Sequence, residues 1–435
     1  MAAAAHRELV HYLWDTLDKD STTRKEVLVL GRDAGIIASL LPKNYSIQRC
    51  LDLSTFAKQL QEEKYDAIIV NDVIRDLPFA KVEELLNALL KVTKVGGYVE
   101  VRQYLGDAKW NLAQYTNLFD SYRLNATNKK HSLGFKILWE QGLRDTIFSR
   151  HDWRDHCWLL SKSEFDPVDA SKQTVSVRDY LDRHQYTDHG IRKYEWIFGH
   201  GFISPGGEAQ NSEFIAQLNL KPGYTVLDIG CGIGGNAFQI ARDYGAQVMG
   251  VDLSSNVVTI ACDRASLKQD TRVRFLIADI TTIHFPPNTF EVIYSRDCIL
   301  HIPDKQSLFE KLYSWLKPGG CALITDYMRS NNEEQTDRFK RYVADRQYTL
   351  WSVNRYVESA KKASFAKVDG QDITEQFKRI IQMEVDRAKE NKQEFLQLFS
   401  EEEYEHLIEG WQNKLGYIAD GDLKWGLIKA EKADV

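Results

Sequence analysis

Proline is scarce, nine residues in 435, and methionine scarcer still at four. So little proline excludes a Pro-rich linker or recognition tract. No stretch approaches the roughly 18 apolar residues needed to cross a bilayer. The opening MAAAAHRELVHYLW lacks an apolar core of signal-peptide length. There is no basic excess: 56 Lys and Arg face 62 Asp and Glu, a formal net charge of −6. A nucleic-acid binder usually carries a basic domain or stripe, and this total suggests none, although it leaves room for a local basic pocket. The six cysteines (Cys50, Cys157, Cys231, Cys262, Cys298, Cys321) lie far apart with no CxxC pair, which argues against a zinc or disulfide framework. What remains is a soluble, cytoplasmic protein with reduced thiols. Its 43% hydrophobic and 27% charged residues suit packed domains, and at roughly 150 residues each two or three are expected.

Alternating apolar strands and amphipathic stretches run through residues 25–105 and again through 224–328, the pattern of βα units on a parallel sheet. The two regions repeat each other. Val27-Leu28-Val29-Leu30-Gly31 matches Val226-Leu227-Asp228-Ile229-Gly230, and Leu51-Asp52-Leu53-Ser54 matches Val251-Asp252-Leu253-Ser254. Tyr65-Asp66-Ala67-Ile68-Ile69 through Pro78 matches Phe290-Glu291-Val292-Ile293-Tyr294 through Pro303, and Val95-Gly96-Gly97 matches Pro318-Gly319-Gly320. Four matches in one order indicate two copies of a domain. The predicted organisation is a degenerate domain over 1–160, a polar linker over 161–180 and an intact domain over 181–435. The later part of the second domain turns to charged helical stretches near 332–350, 354–364 and 373–398. We read these as a helical cap, followed by a last strand near 423–431.

The second copy follows its first strand with Gly230-Cys231-Gly232-Ile233-Gly234-Gly235 and then a helix, which provides a tight turn, close backbone approach and a helix N-terminus. Dinucleotide sites use a similar turn, so the loop alone is weak. The acids around it discriminate: Asp228 precedes the loop, Asp252 ends the next strand where it can accept both hydroxyls of a ribose, and Asp279 follows the third. The first copy has Val29 in place of Asp228 and Asp33 in place of a loop glycine, where a carboxylate would repel a carboxylate-bearing ligand.

The set VLDIGCGIGG, GVDLS, ADI, FEVIYSRD and LKPGG resembles Rossmann-like S-adenosylmethionine-dependent methyltransferases. Further segments narrow the resemblance to the phosphoethanolamine N-methyltransferases over about 180–435: QYTDHG from Gln185, YEWIFG from Tyr194, FISPGG from Phe202, SRDCILHI from Ser295, ITDY from Ile324 and RYVADRQY from Arg341. The tandem layout resembles the nematode type, which methylates the monomethyl and dimethyl phosphobases to phosphocholine for phospholipid synthesis. The resemblance implies S-adenosylmethionine as cofactor, released as S-adenosylhomocysteine and held by Ile203, Ser204, Asp228, Gly230, Gly232, Asp252, Leu253, Asp279, Ile280, Ser295 and Arg296. It implies that Asp297 holds the amine, and that His301 pairs with Tyr186 as a catalytic dyad. It assigns the phosphobase to Tyr194, Tyr327, Tyr342, Arg346, Tyr348 and Lys414, with Lys424 as a substitute for the last. No metal is implied, no membrane insertion and no nucleic acid; a separate first-step methyltransferase is the implied partner.

The chemistry agrees. Only an amine with a free lone pair attacks a methyl sulfonium, and aliphatic amines arrive mostly protonated, with a pKa near ~10.4. The site must therefore remove a proton, exclude water and fix the nitrogen. On a helix Asp297 and His301, four apart, would share a face, as would Tyr342 and Arg346. Tyr348 joins the latter pair only if the helix ends at Arg346. A histidine near 6.5 suits a base at neutral pH, and a phenol near 10 suits an orienting partner. Which of His301 and Tyr186 meets the amine stays open. The first copy keeps an acid, Asp72, where Asp297 falls but has Asp76 where His301 falls. Two readings stay open beside the leading one. The enzyme could also accept phosphoethanolamine and perform all three steps, or the chain could be a silent cofactor-binding partner of another enzyme.

Overall fold

The computed structural model describes residues 25–31, 34–41, 45–50, 56, 61–74, 77–105, 110–125, 131–142, 155–165, 176–332 and 334–434. Asp33, Asp76, the Leu51–Ser54 match and linker residues 166–175 lie outside the described residues. Chain contacts divide the protein into two units: Met1–Tyr186 with Leu253–Thr271 and Leu276–Asp279, and Thr187–Asp252 with Arg272–Phe275 and Ile280–Val435.

In the first unit β1 (Glu26–Gly31), α1 (Ala34–Leu40), β2 (Ser46–Cys50), β3 (Tyr65–Asn71), α2 (Phe79–Val92) and β4 (Thr93–Tyr104) form the βα part. After them come α3 (Leu112–Ser121), β5 (Arg123–Asn125), β6 (Ser132–Gly142), β7 (Asp155–Phe165) and α4 (Val177–Tyr180). The strand order is β2-β1-β3-β4-β7-β6, parallel through β4 and antiparallel beyond it. Val27–Leu30 and Ala67–Val70 are buried without interruption, as expected of parallel strands covered on both faces. The expected linker is narrower than 161–180, because ladder pairing carries β7 to Phe165 and a Ser176-capped turn starts α4.

The second unit begins with α5 (Asp188–Phe198), α6 (Gly207–Ile215), β8 (Thr225–Ile229), α7 (Gly235–Tyr244) and β9 (Gln247–Asp252). Past α8 (Ser255–Lys268) and β10 (Val273–Ala278), it continues with β11 (Phe290–Arg296), α9 (Lys305–Trp315) and β12 (Leu316–Arg329). Its remaining elements are α10 (Asp337–Asp345), α11 (Val353–Lys362), β13 (Lys367–Asp372), α12 (Thr374–Glu390), α13 (Lys392–Leu398), α14 (Glu401–Ala419) and β14 (Leu423–Glu431). The order β10-β9-β8-β11-β12-β14-β13 repeats that of the first unit and extends it by a strand. Both copies are Rossmann-like α/β folds.

The duplication reaches contacts with no catalytic purpose. Asp66 accepts the Glu26 N–H at 2.8 Å and pairs with Lys94 at 2.9 Å; Glu291 accepts the Thr225 N–H at 2.7 Å and pairs with Lys317. Gly96 and Gly319 turn the chain with φ of +78° and +72°. Two features were not expected from the sequence. The exposed edge strand β13 reads as polar loop, KVDGQD, and the nineteen-residue helix α14, started by a capping box at Ser400 and Glu403, lies beyond the expected helical stretches. Among the described residues no helix is long and apolar enough to cross a membrane.

Candidate active site

The loop after β8 is shaped by what its glycines exclude. Gly230 sits at φ +74°, and a Cβ there would lie 2.3 Å from the Cβ of Cys298; one on Gly235 would lie 2.1 Å from the Gly201 carbonyl. The loop thus runs between the turn after β11 and the segment before α6, too close for any side chain. From that segment Ile203 packs on Gly232, its Cδ1 2.9 Å from where a Cβ would stand. The Gly232 N–H donates to Asp252 Oδ2 at 2.9 Å, so the acid at the end of β9 also organises the loop.

Asp228 is fully buried, and neither carboxylate oxygen has a hydrogen-bond partner among the described residues. Burial, reinforced by the charge of Asp252, pushes its carboxyl up to about 7 against the opposing influence of Asn236 and Arg296. An acid so placed costs stability unless a cation meets it. The donor set fits a cofactor that carries positive charge beside a hydroxylated sugar.

Other expected cofactor residues have different surroundings. Ser295 donates to the Ile229 carbonyl at 2.9 Å and braces the loop from below. The buried Arg296 guanidinium donates to the Gly207 carbonyl at 3.0 Å and to the Pro205 carbonyl, so its side chain clamps the segment containing Ile203 and Ser204. Ile280 is buried in the second unit, whereas Leu253 and Asp279 belong to the first by their contacts. Tyr186 is likewise in the first unit, at the end of a π turn over Leu181–Gln185; its N–H donates to the Leu181 carbonyl at 2.7 Å and its carbonyl accepts from Asn256 at 2.8 Å.

Asp297 and His301 do not share a helix face. β11 ends at Arg296, Asp297 turns left-handed at φ +54°, and only a single 3₁₀ turn, Ile299–His301, follows. From there the Asp297 side chain meets β14. Its Oδ1 accepts the Trp425 indole N–H at 2.8 Å, while its Oδ2 is buried with no partner among the described residues. Burial raises its carboxyl above the ordinary range, with Arg296, Trp425 and Lys414 opposing. The His301 ring meets Tyr348 edge-on, 5.1 Å between centroids. Burial, then the charges of Lys305 and Arg346, lower it to about 4, so it is neutral at pH 7.

The expected phosphobase residues do assemble. α10 ends at Asp345 with Arg346 as its C-cap, and Gln347 takes φ +55°. The Gln347 and Tyr348 amides then donate back to Ala344 and Val343, each at 3.0 Å, in a Schellman turn. This turn brings Tyr348 beside Tyr342, 5.8 Å between rings, and Arg346 faces Tyr348, Tyr194 and Tyr342. Lys414 donates to the Tyr327 hydroxyl at 3.3 Å, and burial lowers it to about 8. Lys424 is instead paired with Asp372 at 3.4 Å. Sequence reasoning missed Trp425 and Glu384. Glu384, buried on α12, accepts the Gly206 N–H at 2.7 Å and keeps its second oxygen without a partner among the described residues. No local pattern marks either residue, since both act across more than a hundred positions.

A family model described as a methyltransferase domain matches residues 220–402, and one described as phosphoethanolamine N-methyltransferase 2 N-terminal matches residues 3–166. Phosphoethanolamine N-methyltransferase 2 of Caenorhabditis elegans is 37% identical over 374 residues, 84% of either chain. Phosphoethanolamine N-methyltransferase 3 of Arabidopsis thaliana is 36% identical over 416 residues, 91% of this chain and 83% of its own. The solved structure of phosphoethanolamine N-methyltransferase 2 of Haemonchus contortus, in complex with phosphomonomethylethanolamine and S-adenosylhomocysteine, superposes with a TM-score of 0.91 at 34% identity over 99% of both chains. With these relatives matching across both copies, the chain belongs to the phosphoethanolamine N-methyltransferase family and is a methyltransferase.

Proposed function

We propose that the second copy transfers methyl groups from S-adenosylmethionine to the nitrogen of phosphomonomethylethanolamine and phosphodimethylethanolamine, ending at phosphocholine. The observation that carries this reading is the unpartnered Oδ2 of Asp297 within the electrostatic reach of Lys414, which stands with the Arg346 and tyrosine cluster. An acid for a cationic nitrogen and a cation–phenol set for a phosphate suit the two ends of a phosphobase. The ligand named for the Haemonchus relative supports the same substrate.

When bound, the cofactor supplies an electrophilic methyl group on a sulfonium. Asp228 would meet its positive charge and Asp252 its sugar hydroxyls. Asp297, fixed by Trp425, attracts the cationic nitrogen by its charge and accepts the N–H that the monomethyl amine keeps after losing one proton; in the dimethyl amine the lone pair is freed where the single N–H was. His301, neutral at pH 7, accepts the amine proton. A phosphate dianion against Arg346 offsets the charge that depresses His301 and makes it a stronger base once substrate is present.

The first copy serves as scaffold. Val29 replaces Asp228, and Asp72 is already engaged by Gln103 at 2.7 Å. A separate methyltransferase then has to supply the monomethyl substrate. The test offers phosphoethanolamine, its monomethyl form and its dimethyl form separately with labelled S-adenosylmethionine. Turnover of only the last two is expected. Turnover of all three would select the broader enzyme, and turnover of none would remove the phosphobase assignment.

A further inference from the structure

The two copies differ sharply at one pair of equivalent positions. In the first, Asp72 turns left-handed at φ +51° and donates its amide to the Arg102 carbonyl at 2.9 Å. In the second, Asp297 does the same at φ +54°, to the Thr325 carbonyl at 2.8 Å. The next strand residue is Gln103 in one copy and Asp326 in the other. Gln103 donates to Asp72 Oδ1 at 2.7 Å and accepts the Ile74 N–H at 2.9 Å, so a neutral amide closes the space between the two positions.

In the second copy both positions are acids, and neither can donate to the other once ionised. Asp326 is fully buried. Its Oδ2 accepts the Tyr356 hydroxyl at 2.6 Å, and its Oδ1 has no partner among the described residues, like Oδ2 of Asp297. Lys305 acts on Asp326 by its charge and makes no hydrogen bond to Oδ1: its ammonium donates to the Ile302 and Thr349 carbonyls, each at 2.6 Å. Burial holds both carboxyls above their ordinary range; at Asp326 the Tyr356 hydroxyl and the charge of Lys305 oppose the rise, and the charge of Asp297 adds to it. Asp297 and Asp326 follow the paired residues Arg296 and Thr325 of adjacent strands, and two neighbouring acids that each keep a buried oxygen without a hydrogen bond among the described residues form a site for a cation.

We propose that Asp326 is a second carboxylate of the amine subsite, so that the cationic nitrogen lies between Asp297 and Asp326. The proposal rests on the phosphobase reading above. It accounts for retention of the later substrates. Each methylation removes an N–H donor until the quaternary product has none, so hydrogen bonding to Asp297 fades while charge attraction to two carboxylates persists. Holding Tyr356 alone would need only a neutral acceptor and would leave Oδ1 unexplained.

The test uses the full chain saturated with S-adenosylhomocysteine, titrated with phosphocholine and, separately, with inorganic phosphate. Asp326→Asn keeps an acceptor for Tyr356 and removes the charge; Tyr356→Phe keeps the charge and removes the donor. Asp326→Asn is expected to weaken phosphocholine about tenfold or more, because the charge attraction between a buried carboxylate and a quaternary nitrogen that can make no N–H hydrogen bond is lost. Phosphate and S-adenosylhomocysteine affinities should hold, and Tyr356→Phe should cost phosphocholine far less. Unchanged phosphocholine affinity in Asp326→Asn, or equal weakening of phosphate, would overturn the second carboxylate while leaving the enzyme's substrate intact. A wild-type chain that binds S-adenosylhomocysteine but not phosphocholine would overturn the substrate reading itself, and this proposal with it.

Discussion

Asp297→Asn separates binding from folding at the amine site. Asparagine tolerates the left-handed φ of +54° better than most residues. Its carbonyl oxygen can still accept the Trp425 N–H now held at 2.8 Å. What disappears is the charge and the buried free oxygen. A hydrogen bond to a charged group contributes roughly 1.5–3 kcal/mol, so kcat/KM for phosphodimethylethanolamine should fall about 10- to 150-fold, with cofactor affinity unchanged. Stability should move the other way. The Asp297 carboxyl is raised in the folded state, so in the free protein it costs stability increasingly as pH rises from its unfolded value of 3.8 towards the folded one. The variant should therefore melt no lower than wild type at pH 8, and the difference should shrink at pH 5. Steady-state kinetics and thermal melts at both pH values provide the check. A kcat/KM within about threefold of wild type, with the fold intact, would refute the role of Asp297.

Arg346→Lys should raise KM for the phosphobase about tenfold, since lysine cannot make the bidentate phosphate contact. Arg346→Gln should also move the acid limb of the pH–rate profile upward, because it removes a charge that lowers His301 to about 4. Asp228, raised to about 7 when free, should ionise as a cationic cofactor binds. Calorimetry at pH 7 in two buffers should then show release of about half a proton, lost in Asp228→Asn. The same shift means that Asp228 makes the free chain less stable as pH rises from 3.8 to about 7, with cofactor restoring the loss. Gly230→Ala should destabilise by about 2–5 kcal/mol, from the left-handed φ plus a Cβ 2.3 Å from that of Cys298. Cys298→Gly should recover part of that, as measured by denaturant unfolding.

The sequence made the duplication legible because βα units leave their pattern in short local segments: strand, glycine turn, strand-end acid. The glycine turn after β8 is legible for the same reason, because spacing and geometry nearly coincide there. Sequence reasoning misjudged Asp297 and His301 because helical periodicity was assumed where a left-handed residue and a 3₁₀ turn stand. Tyr348 depended on a helix ending at Arg346, which Gln347 achieves without the glycine that would have announced it. Trp425 and Glu384 carry no local signal, and Asp326 stands in the ITDY segment without a role that the segment alone assigns. Their meaning comes from partners far along the chain or, for Asp326, from an oxygen that lacks one.

The central claim is one working site per chain, in the second copy. The most direct test counts S-adenosylhomocysteine bound per full-length chain, by equilibrium dialysis, in wild type and in a chain carrying Asp228→Ala and Asp252→Ala. One molecule per wild-type chain and none in the variant is expected, with methyl transfer lost in parallel. Two molecules per wild-type chain, or one that persists in the variant, would contradict it.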